Sequence, residues 1–277
     1  MKRNHVLLVI FVVTELLLAS CQKMDDRLYG EVTTIEYPIE SVFKSINIYN
    51  NISVNLKHGH NTRIELTCPS KLAEKITYTI TGDTLIVRNG NNFNLGFSTN
   101  YPCEMTIYYD TLRSIDFASI GYLKCAVTDS IRGYTPPLAT IDTIISDSIQ
   151  IDTIIDPEYF YLYVTEGSGD IDLTFSCSLA KLFFTNGTSK IIFRGKTNYC
   201  EYYLSSYGQL DASRLKSNLL RISNASANDA YVWATKQGEP VGLRAWIFNR
   251  GNIYYRGNPS ISCERQGEGK LIPLGED

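Results

Sequence analysis

The 277-residue chain carries 26 Lys and Arg against 29 Asp and Glu, and its basic residues fall singly rather than in runs. That distribution excludes a nucleic-acid surface built on a basic tract. Nineteen tyrosines, with many Ile and Thr, give a strand-rich composition, and the length suffices for one large all-β domain.

The chain opens with Lys2 and Arg3, then an uninterrupted apolar run over residues 6–13, then Leu18-Ala19-Ser20-Cys21. This is the layout of a secretory signal with a cysteine at the cleavage point. Glu15 breaks the run well short of the roughly 20 apolar residues that span a bilayer. Residues 1–20 are therefore predicted to be removed as a lipoprotein-type signal peptide, with an uncleaved anchor as the alternative. Cys21 resembles the lipid-acceptor cysteine of bacterial lipoproteins, which would carry palmitate-type acyl chains and hold the protein to a membrane. Residues 21–40 are polar and without sustained periodicity, and they read as a tether. Within them Gln22-Lys23-Met24-Asp25-Asp26 resembles the acidic signal that sends Bacteroidota lipoproteins to the outer face of the outer membrane. A plain solvated linker is the alternative, and with it a periplasmic orientation.

Alternation starts at Phe43. Ile46 and Ile48, the Asn50-Asn51 turn, then Ile52, Val54 and Leu56 give a period of two. Residues 63–67 predict another strand and residues 71–75 one helical turn. Residues 77–81 and 84–87 flank Gly82-Asp83, a hairpin signal, and 104–108 is a further strand.

Repeats follow. Residues 161–164 lead through Gly167-Ser168-Gly169 to Ile171 and Leu173, and residues 181–184 lead through Asn186-Gly187 to Ile191 and Phe193. Residues 201–204 lead through Gly208 to Leu210 and Ala212. Two later copies run from Leu220 and Ile222 to Tyr231 and Trp233, and from Ala245 and Ile247 to Ile253 and Tyr255. An earlier copy runs from Ile115 and Phe117 through Gly121 to Leu123 and Cys125. A strand–turn–strand unit with a period near 20 cannot bury its own apolar edge, whereas stacked copies can. The predicted fold is an all-β, right-handed parallel β-helix (β-solenoid) over residues 41–275, with an antiparallel sandwich as the alternative. Residues 129–158, in which Ile141-Asp142-Thr143-Ile144-Ile145 recurs as Ile151-Asp152-Thr153-Ile154-Ile155, read as an inserted hairpin or loop.

In their order along the chain, several short motifs resemble the putative auto-transporter adhesin head GIN domain of Bacteroidota lipoproteins. They are Phe43, Ile46, Ile48, Ile52, Val54, Leu56 and Gly59, then Leu72, Gly82-Asp83-Thr84-Leu85 and Leu112-Arg113-Ser114-Ile115. Gly251-Asn252-Ile253-Tyr254-Tyr255-Arg256-Gly257-Asn258-Pro259 and Gly267-Glu268-Gly269 close the series. The chain departs from the pattern at Ala118-Ser119-Ile120-Gly121 and in its insert. The resemblance implies a β-helical envelope domain and supplies no catalytic residues.

The residues themselves offer little for catalysis, and no catalytic, metal or cofactor site is assigned. His58 and His60 flank Gly59 and read as a turn. Asp170, Asp172, Asp211 and Asp229 read as solvated strand carboxylates rather than an acid–base pair. Besides Cys21, the cysteines are Cys68, Cys103, Cys125, Cys177, Cys200 and Cys263, with no CxxC spacing. Six cysteines allow 15 pairings; Cys68 with Cys103 is the first to test, and buried free thiols are the alternative. If Leu162, Leu182, Tyr202, Leu220 and Ala245 point inward, then Tyr163, Phe183, Tyr203, Arg221 and Trp246 form an outward stripe that can bind a glycan or a surface protein. Asp followed by Ser or Thr and an aliphatic residue resembles the Bacteroidota O-glycosylation site. It marks Thr84, Thr111, Ser130, Thr143, Ser148 and Thr153, and chance strand composition is the alternative. The expected function is a lipid-anchored, non-enzymatic adhesion or scaffold protein. Its rivals are a polysaccharide-active β-helix enzyme and a periplasm-facing structural lipoprotein without a ligand.

Overall fold

The computed structural model describes residues 29–39, 41–91, 103–134 and 158–275. The leader, Cys21, and residues 135–157 of the insert lie outside that set. The chain is all-β, a single curled sheet of 18 strands. The first nine are β1 Val32–Pro38, β2 Ser45–Asn50, β3 Ser53–His58, β4 Arg63–Pro69, β5 Ile76–Thr81, β6 Thr84–Asn89, β7 Glu104–Tyr109, β8 Ser114–Ser119 and β9 Leu123–Cys125. Then come β10 Tyr159–Glu166, β11 Ile171–Phe184, β12 Lys190–Leu204, β13 Gln209–Asn224, β14 Ala230–Ala234, β15 Leu243–Ile247, β16 Ile253–Arg256, β17 Ile261–Arg265 and β18 Leu271–Pro273. One helical turn, Ser70–Ala73, matches the predicted one.

The pairings sort into two lanes. Lane one runs β1, β4, β7, β3, β9, the first halves of β11, β12 and β13, then β14, β16 and β18. Lane two runs β5, β6, β2, β8, β10, the second halves of β11, β12 and β13, then β15 and β17. From β8 onward every pairing between these strands is parallel, and the register advances by about 20 residues per coil. Leu162 pairs with Leu182, Leu182 with Tyr202, Tyr202 with Ile222, and Ile222 with Ala245. All five are buried, because alternation sends every second side chain inward and each coil covers the apolar edge of the last.

Turns stack as the strands do. Gly187 has φ +98°, and a Cβ there would stand 2.2 Å from the carbonyl oxygen of Gly167 one coil earlier, so only glycine fits. Asn50, in the predicted turn, adopts φ +71° and donates its Nδ2 to Asn89 O at 2.8 Å. Fully buried Asn224 gives Nδ2 to Gly251 O at 3.2 Å and accepts the Ser226 N–H at 3.0 Å, which satisfies backbone groups in the turns of two coils.

Four expectations need correction. The coils do not pile up in chain order at the start: β2 lies between β6 and β8, and β3 between β7 and β9. Three pairings there are antiparallel, β1–β4, β4–β7 and β5–β6, because the first coil needs a cover that another identical coil would only expose again. Residues 32–38, expected in the tether, form β1 along β4. The insert starts later than residue 129: Ile131 is fully buried and bridged to Phe175, Gly133 is bridged to Leu112, and Tyr134 to Tyr159.

Candidate functional site

The outward stripe lies on lane two. Tyr163 pairs with Phe183 and Phe183 with Tyr203, so three rings stand on consecutive rungs. Their centroids are 5.0 and 4.8 Å apart and the planes differ by 7° and 4°. The spacing is that of the strands themselves, which is why the rings stack face to face. Tyr161 continues the row at 6.4 Å from Tyr163, and Tyr159 lies 5.3 Å from Tyr161. Tyr163 and Tyr203 remain 38% and 40% exposed. The inner ring faces are occupied by neighbouring rings, so the ladder presents ring edges and hydroxyls. A free face is left on the Tyr203 side that looks toward the next coil.

Register divides the predicted stripe. Tyr203 pairs with Ser223, and Ser223 with Trp246, which puts Trp246 two rungs beyond Tyr203 in the same column. Arg221 belongs to the adjacent column, between Glu201 and Arg244. The coil from Tyr203 to Ser223 spans 20 residues, not the 18 that would align Tyr203 with Arg221. Glu201, which the sequence did not single out, anchors this second column. Its carboxylate is buried, lies 3.3 Å from Lys181 Nζ, and accepts hydrogen bonds from the hydroxyls of Tyr199 (3.1 Å) and Tyr203. Burial, and then the bond to Glu201, push the Tyr203 hydroxyl up to about 12. The ring is therefore held in one orientation and neutral at any physiological pH.

The other predicted residues scatter. Thr84, Thr111 and Ser130 are half-buried, and Thr143, Ser148 and Thr153 lie outside the described residues, as does Cys21. Asp172 forms a two-pronged ion pair with Arg194, Asp211 accepts from the Ser213 N–H (3.1 Å) and hydroxyl (2.6 Å), and Asp229 accepts the Asn252 N–H at 2.8 Å. These three carboxylates are engaged in local structure. His60 Nδ1 is 3.2 Å from Asp110 on an exposed loop, and among the described residues no three His, Cys, Asp or Glu side chains converge on a common point. The six cysteines are free thiols; Cys68 and Cys103 are in hydrogen-bonding contact, and only Cys263 is exposed.

Comparison with known proteins now becomes informative. A family profile described as "Putative auto-transporter adhesin, head GIN domain" matches residues 42–259. The fold is shared with a putative adhesin from Bacteroides fragilis (TM-score 0.68, 16% identity, 88% of this chain and 97% of that one). It is also shared with a putative adhesin from Parabacteroides distasonis (TM-score 0.54, 14% identity, 88% and 97% covered). A putative lipid binding protein from the same organism has it too (TM-score 0.59, 15% identity, 89% and 98% covered). No curated protein matches the chain.

Proposed function

The chain belongs to the auto-transporter adhesin head GIN domain family, and on that premise we propose that it is a non-enzymatic adhesion module of the cell envelope. In this reading its coils form a right-handed parallel β-helix, Cys21 carries the lipid that fixes it to the outer membrane, and the domain faces outward. The ligand is a glycan or a surface protein, taken up along the ladder of Tyr163, Phe183 and Tyr203. That ladder is the observation on which the reading rests. A fixed sheet offering a row of exposed rings is suited to docking without moving parts, and exposed apolar rows of this kind mark interaction surfaces.

A glycan array read beside a reducing-sugar assay tests the reading. Retention without release of reducing ends is expected, and the Tyr163→Ser/Tyr203→Ser double variant should lose retention. Turnover of any retained glycan would replace the adhesion reading with the enzymatic one. Protease treatment of whole cells checks the orientation, since an outward domain is shaved off and an inward one is spared.

A further inference from the structure

Lane one carries a different row. Arg194-Gly195-Lys196 on β12 and Arg214-Leu215-Lys216 on β13 are 20 residues apart, and the register places Arg194 beside Arg214 and Lys196 beside Lys216. Like charges directly opposite each other on neighbouring strands destabilise a sheet. Asp172 neutralises Arg194, yet among the described residues Lys196, Arg214 and Lys216 have no carboxylate at ion-pairing distance. Burial and the facing Arg214 lower the Arg194 pKa, so the crowding is felt within the row.

The two lysines also line a cavity of about 380 Å³ at the corner where β11, β12 and β13 pass from lane one to lane two. This is within the size range of small-molecule sites. Ser176, Ser178, Asn198 and Asn218 add hydroxyl and amide groups to its wall, and Glu158 is the one carboxylate among the lining residues. Beyond Lys216 the row continues into Trp233, whose ring lies 5.5 Å from Lys216 Nζ, and then into Arg256.

We infer that this corner binds an anionic carbohydrate, its acidic groups held by Lys196 and Lys216 and a sugar ring laid against Trp233. Cations alone would accept any anion. Hydroxyls and amides that can both donate and accept, with an aromatic face in the same line, match the alternating polar and C–H surfaces of a sugar. The site lies on the opposite lane from the ring ladder and stands or falls independently of it.

Titration calorimetry of the full chain in detergent provides the test, with oligogalacturonate and a sulfated heparin fragment as acidic probes, and neutral dextran and single-stranded DNA as comparisons. Both acidic probes, or one of them, should bind, more weakly as salt is raised, and dextran should not. Lys196→Gln/Lys216→Gln should cost at least about tenfold in affinity, the equivalent of one charge-assisted hydrogen bond, while the thermal midpoint holds or rises because a like-charge pair is relieved. Trp233→Leu should weaken the acidic sugar and leave any DNA binding unchanged. Failure of both acidic probes overturns the inference. So does wild-type affinity in the double lysine variant, and equal affinity for DNA overturns the carbohydrate assignment.

Discussion

Replacing Phe183 by Leu isolates what the ring ladder contributes. Phe183 stacks on Tyr163 at 5.0 Å and on Tyr203 at 4.8 Å, so the substitution abolishes two stacked pairs at once. Aromatic pairs are worth about 0.5–1.5 kcal/mol each beyond their area, and leucine keeps much of the apolar coverage, so the expected loss is about 1–3 kcal/mol. For a domain of this size each kcal/mol lowers the thermal midpoint by about 2–4 °C. Circular dichroism melts together with urea titrations read the change, and Tyr163→Leu and the Tyr163→Leu/Phe183→Leu pair complete a double-mutant cycle. Additive losses in that cycle would refute the reasoning, because rings that hold each other must show coupling. A single-variant loss indistinguishable from zero would do the same, and would reduce the ladder to a coincidence of strand spacing.

Two other substitutions probe the scaffold. Gly187→Ala forces a Cβ to 2.2 Å from the Gly167 carbonyl oxygen at φ +98°, whereas Gly238→Ala, at φ +75° with nothing within 4 Å, carries only the conformational cost. The first should lower stability by more than the roughly 1–2 kcal/mol expected of the second in urea unfolding, and equal losses would mean that the turns are not stacked. Asp116 pairs with Tyr163, and burial raises its pKa from the ordinary 3.8. A raised carboxylate pKa means that the fold prefers the protonated acid; that stability is present below pH 3.8 and is lost as pH rises through the folded value. Asp116→Asn should therefore be more stable than the wild type at neutral pH, with the gap closing in acid, and a variant less stable at pH 7 contradicts the assignment.

Much of the strand pattern was legible because alternation and turn residues agree. Ile46 to Leu56, the Gly82-Asp83 hairpin and the later units all became strands where the periodicity put them. Register was less legible. Pairing Tyr202 with Leu220 or with Ile222 leaves the same face buried, because a slip of two residues preserves alternation, so hydrophobic pattern cannot choose between them. The length of the turn after Leu204 chooses, and it selects Ile222. The order β6, β2, β8 was out of reach for a different reason. It arises from covering the first coil, and no local pattern encodes which later segment returns to do so. The paired Arg-x-Lys motifs at 194–196 and 214–216 were readable in principle, since the 20-residue period applied to charges instead of apolar residues brings them together.

The two lanes also differ in what their rows say about selection. Stacked rings on consecutive rungs attract one another, so a ladder of Tyr163, Phe183 and Tyr203 stabilises the sheet even if nothing ever docks there. Stacked cations repel, so Lys196 beside Lys216 and Arg194 beside Arg214 work against the same sheet. Sheet stability accounts for the first row and cannot account for the second. A cost retained on consecutive rungs, next to a polar cavity and in line with Trp233, is explained by a partner that supplies the missing negative charge. Of the two rows the cationic one therefore says more about what the protein meets, although the aromatic one is easier to find.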